Sequence, residues 1–244
     1  HIPAGATGYD VAPWTNTAKF ASIIPDLVPA NGLLLNFDDI ANVPVANPAT
    51  VAQWNTFFDL PTNGTPFTTA TVKGNQVWLS GGGGDIKFKD YLFGSNACGI
   101  HLLSIIDNGI GVIELGDGVF GIWNIGGGCP NLINAEFPYL TSIGEGAFYY
   151  AMALTGFIIA PTVINIKDSA FQGCYSLTNI IVPEGITSIG VAVFTDCPIL
   201  TSVTLPNSLI SIGNSAFNYC IALPNIFLPE NLTSIGDSAF GNNE

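Results

Sequence analysis

Few side chains in this sequence have the chemistry of acid–base or nucleophilic catalysis. The 244 residues include two histidines, His1 and His101, and a Ser-His-Asp arrangement would depend on His101. The Gly-x-Ser-x-Gly turn that presents a nucleophilic serine is absent from the sequence. Asp38-Asp39 is a lone acidic pair without nearby metal-ligating partners. We therefore predict no catalytic residues and no enzymatic activity.

The cysteines have a regular spacing. Cys174, Cys197 and Cys220 are 23 residues apart, and Cys129 and Cys98 stand at the equivalent point of less regular segments. Because a small buried residue is expected at this position, we predict stacked free thiols, with a disulfide between adjacent repeats as the alternative. No Cys-x-x-Cys or paired-histidine spacing indicates a metal site, and no cofactor is predicted.

The composition is unusually apolar for a soluble chain. Charged residues make up 9% of the sequence against about 25% in typical domains, and the mean hydropathy is +0.45. Membrane insertion would need about 18 uninterrupted apolar residues, and the best candidate, 151–166, is interrupted by Pro161 and several polar residues. The apolar excess therefore predicts a large core, contacts between copies, or both. A net charge of −13 with no arginine excludes nucleic acid and anionic membrane surfaces as partners.

Three columns of apolar residues recur in phase at intervals of 23 residues. The columns are Ile143, Ile166, Ile189, Ile212 and Ile235; Phe148, Phe171, Phe194, Phe217 and Phe240; and Leu154, Leu177, Leu200 and Leu223. This recurrence predicts a solenoid in which each repeat forms one coil and stacks on its neighbours at roughly 4.8 Å. Within one coil, Leu177, Ile180 and Val182 are expected to face inward, while Asn179 and Ile181 face outward.

The repeat unit has a specific sequence. It reads Leu-x-x-Ile-x-Val-Pro, then Ile-Thr-Ser-Ile-Gly, then a small residue and Phe. This unit closely resembles the BspA-like, 23-residue class of leucine-rich repeats found in bacterial surface proteins, over about Cys129 to Asn243. Upstream, Leu115 to Phe120 and Tyr91 to Phe93 are interpreted as diverged copies with longer spacing.

The first part of the chain lacks this period. Asn47-Pro48 predicts a helix start, followed by a short amphipathic helix through Trp54. The segments 67–72 and 76–79 alternate around Lys73-Gly74-Asn75 and predict a hairpin, to which 85–89 is expected to add a third strand. The expected fold class is α+β with a repeat solenoid. Residues 1–88 would form an N-terminal arm and small α+β capping domain, and residues 89–244 a leucine-rich-repeat solenoid of parallel strands, diverged over 89–128 and regular from about 129.

Outward-pointing strand positions supply the candidate interaction face. From coil to coil these positions are Glu136, Ile158, Ile181, Thr204 and Phe227. An apolar row of this kind fits a contact surface, although β-branched residues also favour strands without any binding role. In addition, Asp-Ser-Ala at Ser169 and Ser238 resembles an acceptor sequence for O-linked glycans in Bacteroidota.

These features predict a secreted, non-enzymatic structural protein that self-associates into an extracellular assembly or filament. Its partners would be further copies of the chain, as a homo-oligomer or homopolymer, and an uncapped last coil would favour this. The alternative is a cell-surface or phage-associated adhesin that binds a host or cell-surface protein or glycan through the same face. The sequence has no initiator Met, so either it is trimmed or a leader was removed before His1. Together with the low charge, this predicts an extracellular or cell-surface location after removal of a leader.

Overall fold

The computed structural model describes residues 32–38, 50–58, 66–82, 84–93, 101–121 and 128–243. Over these ranges the chain is a parallel β-solenoid preceded by a hairpin and one short helix, which confirms the predicted class of fold. The helix is α1 (Val51–Phe57) and the strands are β1 (Gly32–Phe37), β2 (Thr69–Lys73), β3 (Gln76–Ser80), β4 (Ile86–Phe88), β5 (Leu102–Asn108), β6 (Val112–Leu115), β7 (Asn134–Glu136), β8 (Ser142–Ile143), β9 (Asn165–Ile166), β10 (Asn179–Ile181), β11 (Ser188–Ile189), β12 (Ser202–Thr204), β13 (Ser211–Ile212) and β14 (Ser234–Ile235).

Helix α1 begins later than the sequence pattern predicted. Asn47 and Pro48 lie outside the described residues, and the N-cap is Thr50. Its hydroxyl accepts from the Gln53 backbone N–H, while the Gln53 side chain accepts from the Thr50 N–H at 3.0 Å. The prediction of an Asn47 cap was wrong, because this reciprocal pair satisfies two backbone donors at the helix start. Trp54 on the inner face is completely buried.

The predicted hairpin is confirmed, and its sheet continues into the solenoid. Strands β2 and β3 pair antiparallel with Lys73 opposite Gln76, and Gly74 in the turn has a positive φ of 59°. The sheet order is β2-β3-β1-β5-β7, in which β5 and β7 pair in parallel. The hairpin is therefore hydrogen-bonded, through β1 and β5, to the first regular coil.

The prediction that 85–89 adds a third strand to the hairpin was wrong. Strand β4 pairs in parallel with β6 and opens a second sheet with the order β4-β6-β8-β9. Ile86 and Phe88 are both buried, and the Phe88 ring packs against Phe137 at 5.7 Å between centroids. Because these two side chains fill the solenoid interior, β4 is placed on the solenoid and not on the hairpin.

A buried carboxylate shapes the corner between β5 and β6. Asp107 accepts hydrogen bonds from the backbone N–H groups of Gly109, Ile110 and Val112, at 3.0, 2.8 and 2.7 Å. Burial raises the pKa of Asp107, whereas these backbone bonds act in the opposite direction. The side chain thus replaces the partners that the turn backbone would otherwise lack.

The interior of the solenoid is a continuous stack of phenylalanine rings. Neighbouring rings lie 5.1 to 5.5 Å apart between centroids. The stack consists of Phe93, Phe120, Phe148, Phe171, Phe194, Phe217 and Phe240. This confirms that the segments at Phe93 and Phe120 are diverged copies of the repeat. The predicted orientation within one coil is also confirmed, since Leu177, Ile180 and Val182 are buried and Ile181 is exposed.

Three rows of backbone hydrogen bonds run along the side of the solenoid that carries these phenylalanines, here called the turn side. In one coil the N–H groups of Ser169, Phe171 and Gly173 donate to carbonyls of the next coil at 2.9, 2.9 and 2.8 Å. Ser169 has a positive φ of 55°, and the equivalent residue in each of the remaining described coils is also left-handed. Left-handed residues are uncommon outside glycine, and here they let alternate N–H groups point toward the same neighbouring coil.

The other two sides of the solenoid are here called the strand sides. The first carries β5, β7, β10 and β12, and the second carries β4, β6, β8, β9, β11, β13 and β14. Both are interrupted at the coil formed by residues 154–176. This coil has no strand at positions equivalent to β7 and β10, and β9 does not pair with β11. Phe157 occupies the inward position that Ala135 and Ile180 fill in neighbouring coils, and its ring lies 4.7 Å from that of Phe148. Because a phenyl ring needs more room than either side chain, we attribute the absence of a strand at 157–159 to Phe157.

Candidate interaction surfaces

The outward positions predicted from the sequence form an incomplete row, here called the outer row: Glu136, Ile158, Ile181, Thr204 and Phe227. Parallel pairing of β10 with β12 places Ile181 beside Thr204. Ile158 and Phe227 lie on segments without strand pairing, so the structure does not hold all five residues on one sheet. Ile158, Ile181 and Phe227 are 42%, 59% and 93% exposed, whereas Glu136 is half-buried and accepts a hydrogen bond from the Asn134 amide at 2.8 Å.

The exposure of Phe227 has a local cause. Thr178 and Thr201 each donate both the backbone N–H and the hydroxyl to the carbonyl of the equivalent residue in the preceding coil. Pro224 takes this position in the next coil and has no N–H to donate. The backbone bonds of the row therefore stop at Thr201, and no strand forms at 225–227. Phe227 is left as the most exposed large apolar side chain among the described residues.

The Asp-Ser-Ala sequences have a structural role in the turn side. The Asp168 carboxylate accepts the backbone N–H of Val191 at 2.8 Å, which links two coils. The Asp237 backbone N–H in turn donates to the Asn214 side chain at 2.9 Å. Ser169 and Ser238 are the left-handed residues that follow, the first half-buried and the second exposed. O-glycosylation of these two serines stays a prediction.

Of the residues considered for catalysis, the structure describes Asp38 and His101, which contact each other. The His101 Nδ1 atom lies 2.8 Å from an Asp38 carboxylate oxygen, so this pair connects the end of β1 to the start of β5. His1, Asp39 and Cys98 lie outside the described residues. Within the described ranges, no group of three or more His, Cys, Asp or Glu side chains could hold a metal ion.

The cysteine column is built as the spacing predicted. Cys174, Cys197 and Cys220 are free and buried, and each thiol donates to the carbonyl of a phenylalanine in the preceding coil at 3.4, 3.4 and 3.1 Å. Burial raises the pKa of Cys174 and Cys197 far above the usual range and raises the pKa of Cys220 to about 12. These three thiols are therefore core residues and not nucleophiles.

Two exposed features were missed by the sequence reasoning. On the second strand side, Ile164 and Ile210 are 74% and 48% exposed and occupy one column in which Thr141, Thr187 and Thr233 alternate with them. On the turn side, Tyr149, Tyr150 and Tyr175 lie close together. Alignment of the repeats would have shown the Ile-Thr alternation. The tyrosine cluster joins different columns and is visible only in three dimensions.

Comparison with known proteins identifies the repeat. Residues 128–244 match the model of the BspA type leucine rich repeat region, with six copies. They form a BspA-type leucine-rich-repeat region. No curated protein matches the sequence. Within the described ranges, no helix of this protein has the length and apolar character needed to cross a membrane.

Solved structures resemble the leucine-rich-repeat region together with part of the preceding chain. A leucine rich cell surface protein from Faecalibacterium prausnitzii has a TM-score of 0.52 and 27% identity, covering 71% of this chain and 43% of that protein. The chain thus spans less than half of the length of that relative. A leucine rich repeat protein from T. pallidum is 23% identical to this chain and has a TM-score of 0.47. The match covers 70% of this chain and 83% of the T. pallidum protein.

Proposed function

We propose that this protein is a non-enzymatic interaction protein of the bacterial cell surface, which binds another protein through the outer row. The observation that carries the proposal is the exposure of Ile158, Ile181 and Phe227, which occupy equivalent positions of their coils. Large apolar side chains exposed to solvent are typical of protein contact sites, because their burial supplies the binding free energy.

The cell-surface location is supported by similarity. The relative from Faecalibacterium prausnitzii is described as a leucine rich cell surface protein, at 27% identity. The strong negative charge fits the same setting, because it disfavours nucleic acid while leaving protein partners open. The non-enzymatic part of the proposal has separate support. The described residues bring no metal cluster together, and the buried thiols have raised pKa values.

Photo-crosslinking tests the proposal. A photoreactive phenylalanine analogue at position 181 should crosslink to a specific protein on intact cells, whereas the same group at position 164, on the other strand side, should not. The Ile181→Asp/Phe227→Asp double variant should then bind that purified protein at least about a hundredfold more weakly, since it places charges in the contact. Ile164→Asp/Ile210→Asp is the matched control and should bind normally. Equal crosslinking at both positions, or full affinity of the outer-row variant, would reject the proposal.

Self-association is the second candidate, and a different observation favours it. Exposed apolar side chains also occur on the second strand side, at Ile164 and Ile210, so two sides of the solenoid could contact further copies. Sedimentation velocity of the purified chain across a wide concentration range tests this candidate. Assembly that is lost in Ile164→Asp/Ile210→Asp would support it, and a monomer at every concentration would exclude it.

A further inference from the structure

Three tyrosines form a compact patch on the turn side, here called the tyrosine patch: Tyr149, Tyr150 and Tyr175. The rings of Tyr149 and Tyr150 lie 4.7 Å apart at an interplanar angle of 71°, and those of Tyr150 and Tyr175 lie 5.7 Å apart at 89°. Tyr175 is 39% exposed, and the other two rings are half-buried. The patch therefore combines fixed aromatic surface with phenolic hydroxyls at the protein boundary.

A glycine holds the central ring in place. Gly173 occupies the position equivalent to Tyr150 in the next coil, and a Cβ there would come within 2.9 Å of the Tyr150 ring. The Tyr150 ring therefore packs directly over the Gly173 backbone. A ring held in this way loses little conformational freedom when a ligand binds, which favours binding even at a shallow surface.

The same column carries an acidic residue two coils after Tyr150. Asp196 is the equivalent residue one coil after Gly173. Burial raises the pKa of Tyr149 and of Tyr150, the neighbouring tyrosines raise both further, and the negative charge of Asp196 adds the smallest contribution. The charged residue of this column is thus negative, in keeping with the net charge of −13. Anionic ligands are disfavoured by this charge, whereas a neutral ligand with hydroxyl groups can pair with the phenol oxygens.

We propose that the tyrosine patch binds a neutral carbohydrate, an oligosaccharide of uncharged pyranose units. The apolar C–H face of a pyranose packs against tyrosine rings, and its hydroxyl groups pair with phenol oxygens. The outer row differs, because Ile158, Ile181 and Phe227 offer apolar surface without hydroxyl groups. This carbohydrate site is separate from the proposed protein contact and does not depend on it.

Titration of the whole chain with defined sugars tests the proposal. The probes are neutral hexasaccharides of glucose, of N-acetylglucosamine and of mannose, with sialylated and sulfated oligosaccharides as charged counterparts, measured by calorimetry and saturation-transfer NMR. At least one neutral hexasaccharide should bind, and its aromatic saturation signals should come from tyrosine. Tyr175→Ala should weaken binding at least about tenfold, and Tyr150→Ala/Tyr175→Ala should abolish it.

Two controls separate this result from unfolding and from the protein contact. Tyr219→Ala removes an exposed tyrosine in the same column as Tyr150, two coils after Gly173, and should bind normally. Ile181→Asp/Phe227→Asp should also keep its sugar affinity, whatever its effect on a protein partner. If Tyr150→Ala loses its circular dichroism spectrum, Tyr175→Ala alone decides, since that ring is exposed. The proposal is overturned if none of the three neutral sugars binds, if charged sugars bind equally well, if Tyr175→Ala keeps full affinity, or if a protein is crosslinked at position 175 instead.

Discussion

The turn side and the strand sides of the solenoid are built from the same repeat, but they differ in continuity. On the turn side, the phenylalanine stack and the hydrogen bonds of Phe148 to Ala170 and of Phe171 to Val193 pass through the coil at 154–176 without a break. On the strand sides, both sheets are interrupted at that coil. The repeat therefore tolerates variation in its strands as long as the turn side stays regular.

The physical reason lies in which atoms each side uses. The turn side joins coils through backbone groups and through one large buried ring per coil, so every coil must contribute the same conformation. The strand sides add backbone bonds over two or three residues per coil, and their outward side chains face solvent. Loss of one strand leaves exposed backbone groups that water can satisfy, whereas loss of one ring would leave a cavity in the core.

The largest expected effect comes from breaking the turn side. Phe194→Ala removes a fully buried ring that stacks on Phe171 and Phe217 at 5.5 and 5.2 Å. We expect the free energy of unfolding to fall by about 3–5 kcal/mol, as measured by urea denaturation. The control, Ile181→Ala on the strand side, should change it by less than about 1 kcal/mol, since that side chain is more than half exposed. Equal losses in the two variants would contradict the comparison.

Thiol accessibility sharpens the comparison without any mutation. Cys174, Cys197 and Cys220 are buried on the turn side, and burial keeps their pKa values high, so the reactive thiolate form is suppressed at pH 8. We expect peptides containing these three residues to remain unmodified by iodoacetamide in the native protein. They should react fully in about 8 M urea, where unfolding is expected to be complete. Peptide mass spectrometry is the measurement. Rapid native labelling of Cys197, the central thiol, would show that the turn side opens locally.

The smallest effect is expected at the irregular coil. Lys167 stands where most coils have glycine, and its ammonium group reaches over Gly144 to the Asp117 carboxylate at 3.0 Å. Both partners are partly exposed, so Lys167→Met should lower the free energy of unfolding by no more than about 1 kcal/mol. The difference from the unmodified chain should disappear in about 1 M salt, where the Debye length falls to about 3 Å. A loss that persists in high salt would indicate a packing role for the lysine stem instead.

The regular part of the fold could be predicted because the core repeats in register with the sequence. Phe148, Phe171 and Phe194 recur every 23 residues, and a ring that must stack on its neighbours permits little change in spacing. The candidate surface was harder to predict. Ile181 was correctly placed outward by strand alternation, but the separation of Ile158 and Phe227 from the sheet depends on Phe157 and Pro224, whose effects act through neighbouring coils.

The sequence by itself determined the repeat and its type, the inward faces and the buried cysteine column, since each follows from residue type and from the 23-residue spacing between equivalent positions. Only the tertiary structure decided that β4 joins the solenoid, that Asp38 contacts His101, and that three tyrosines from two coils lie together. These contacts join residues from different coils or from either side of an irregular segment. Their geometry depends on how the coils stack on one another. No single segment of the sequence determines that stacking.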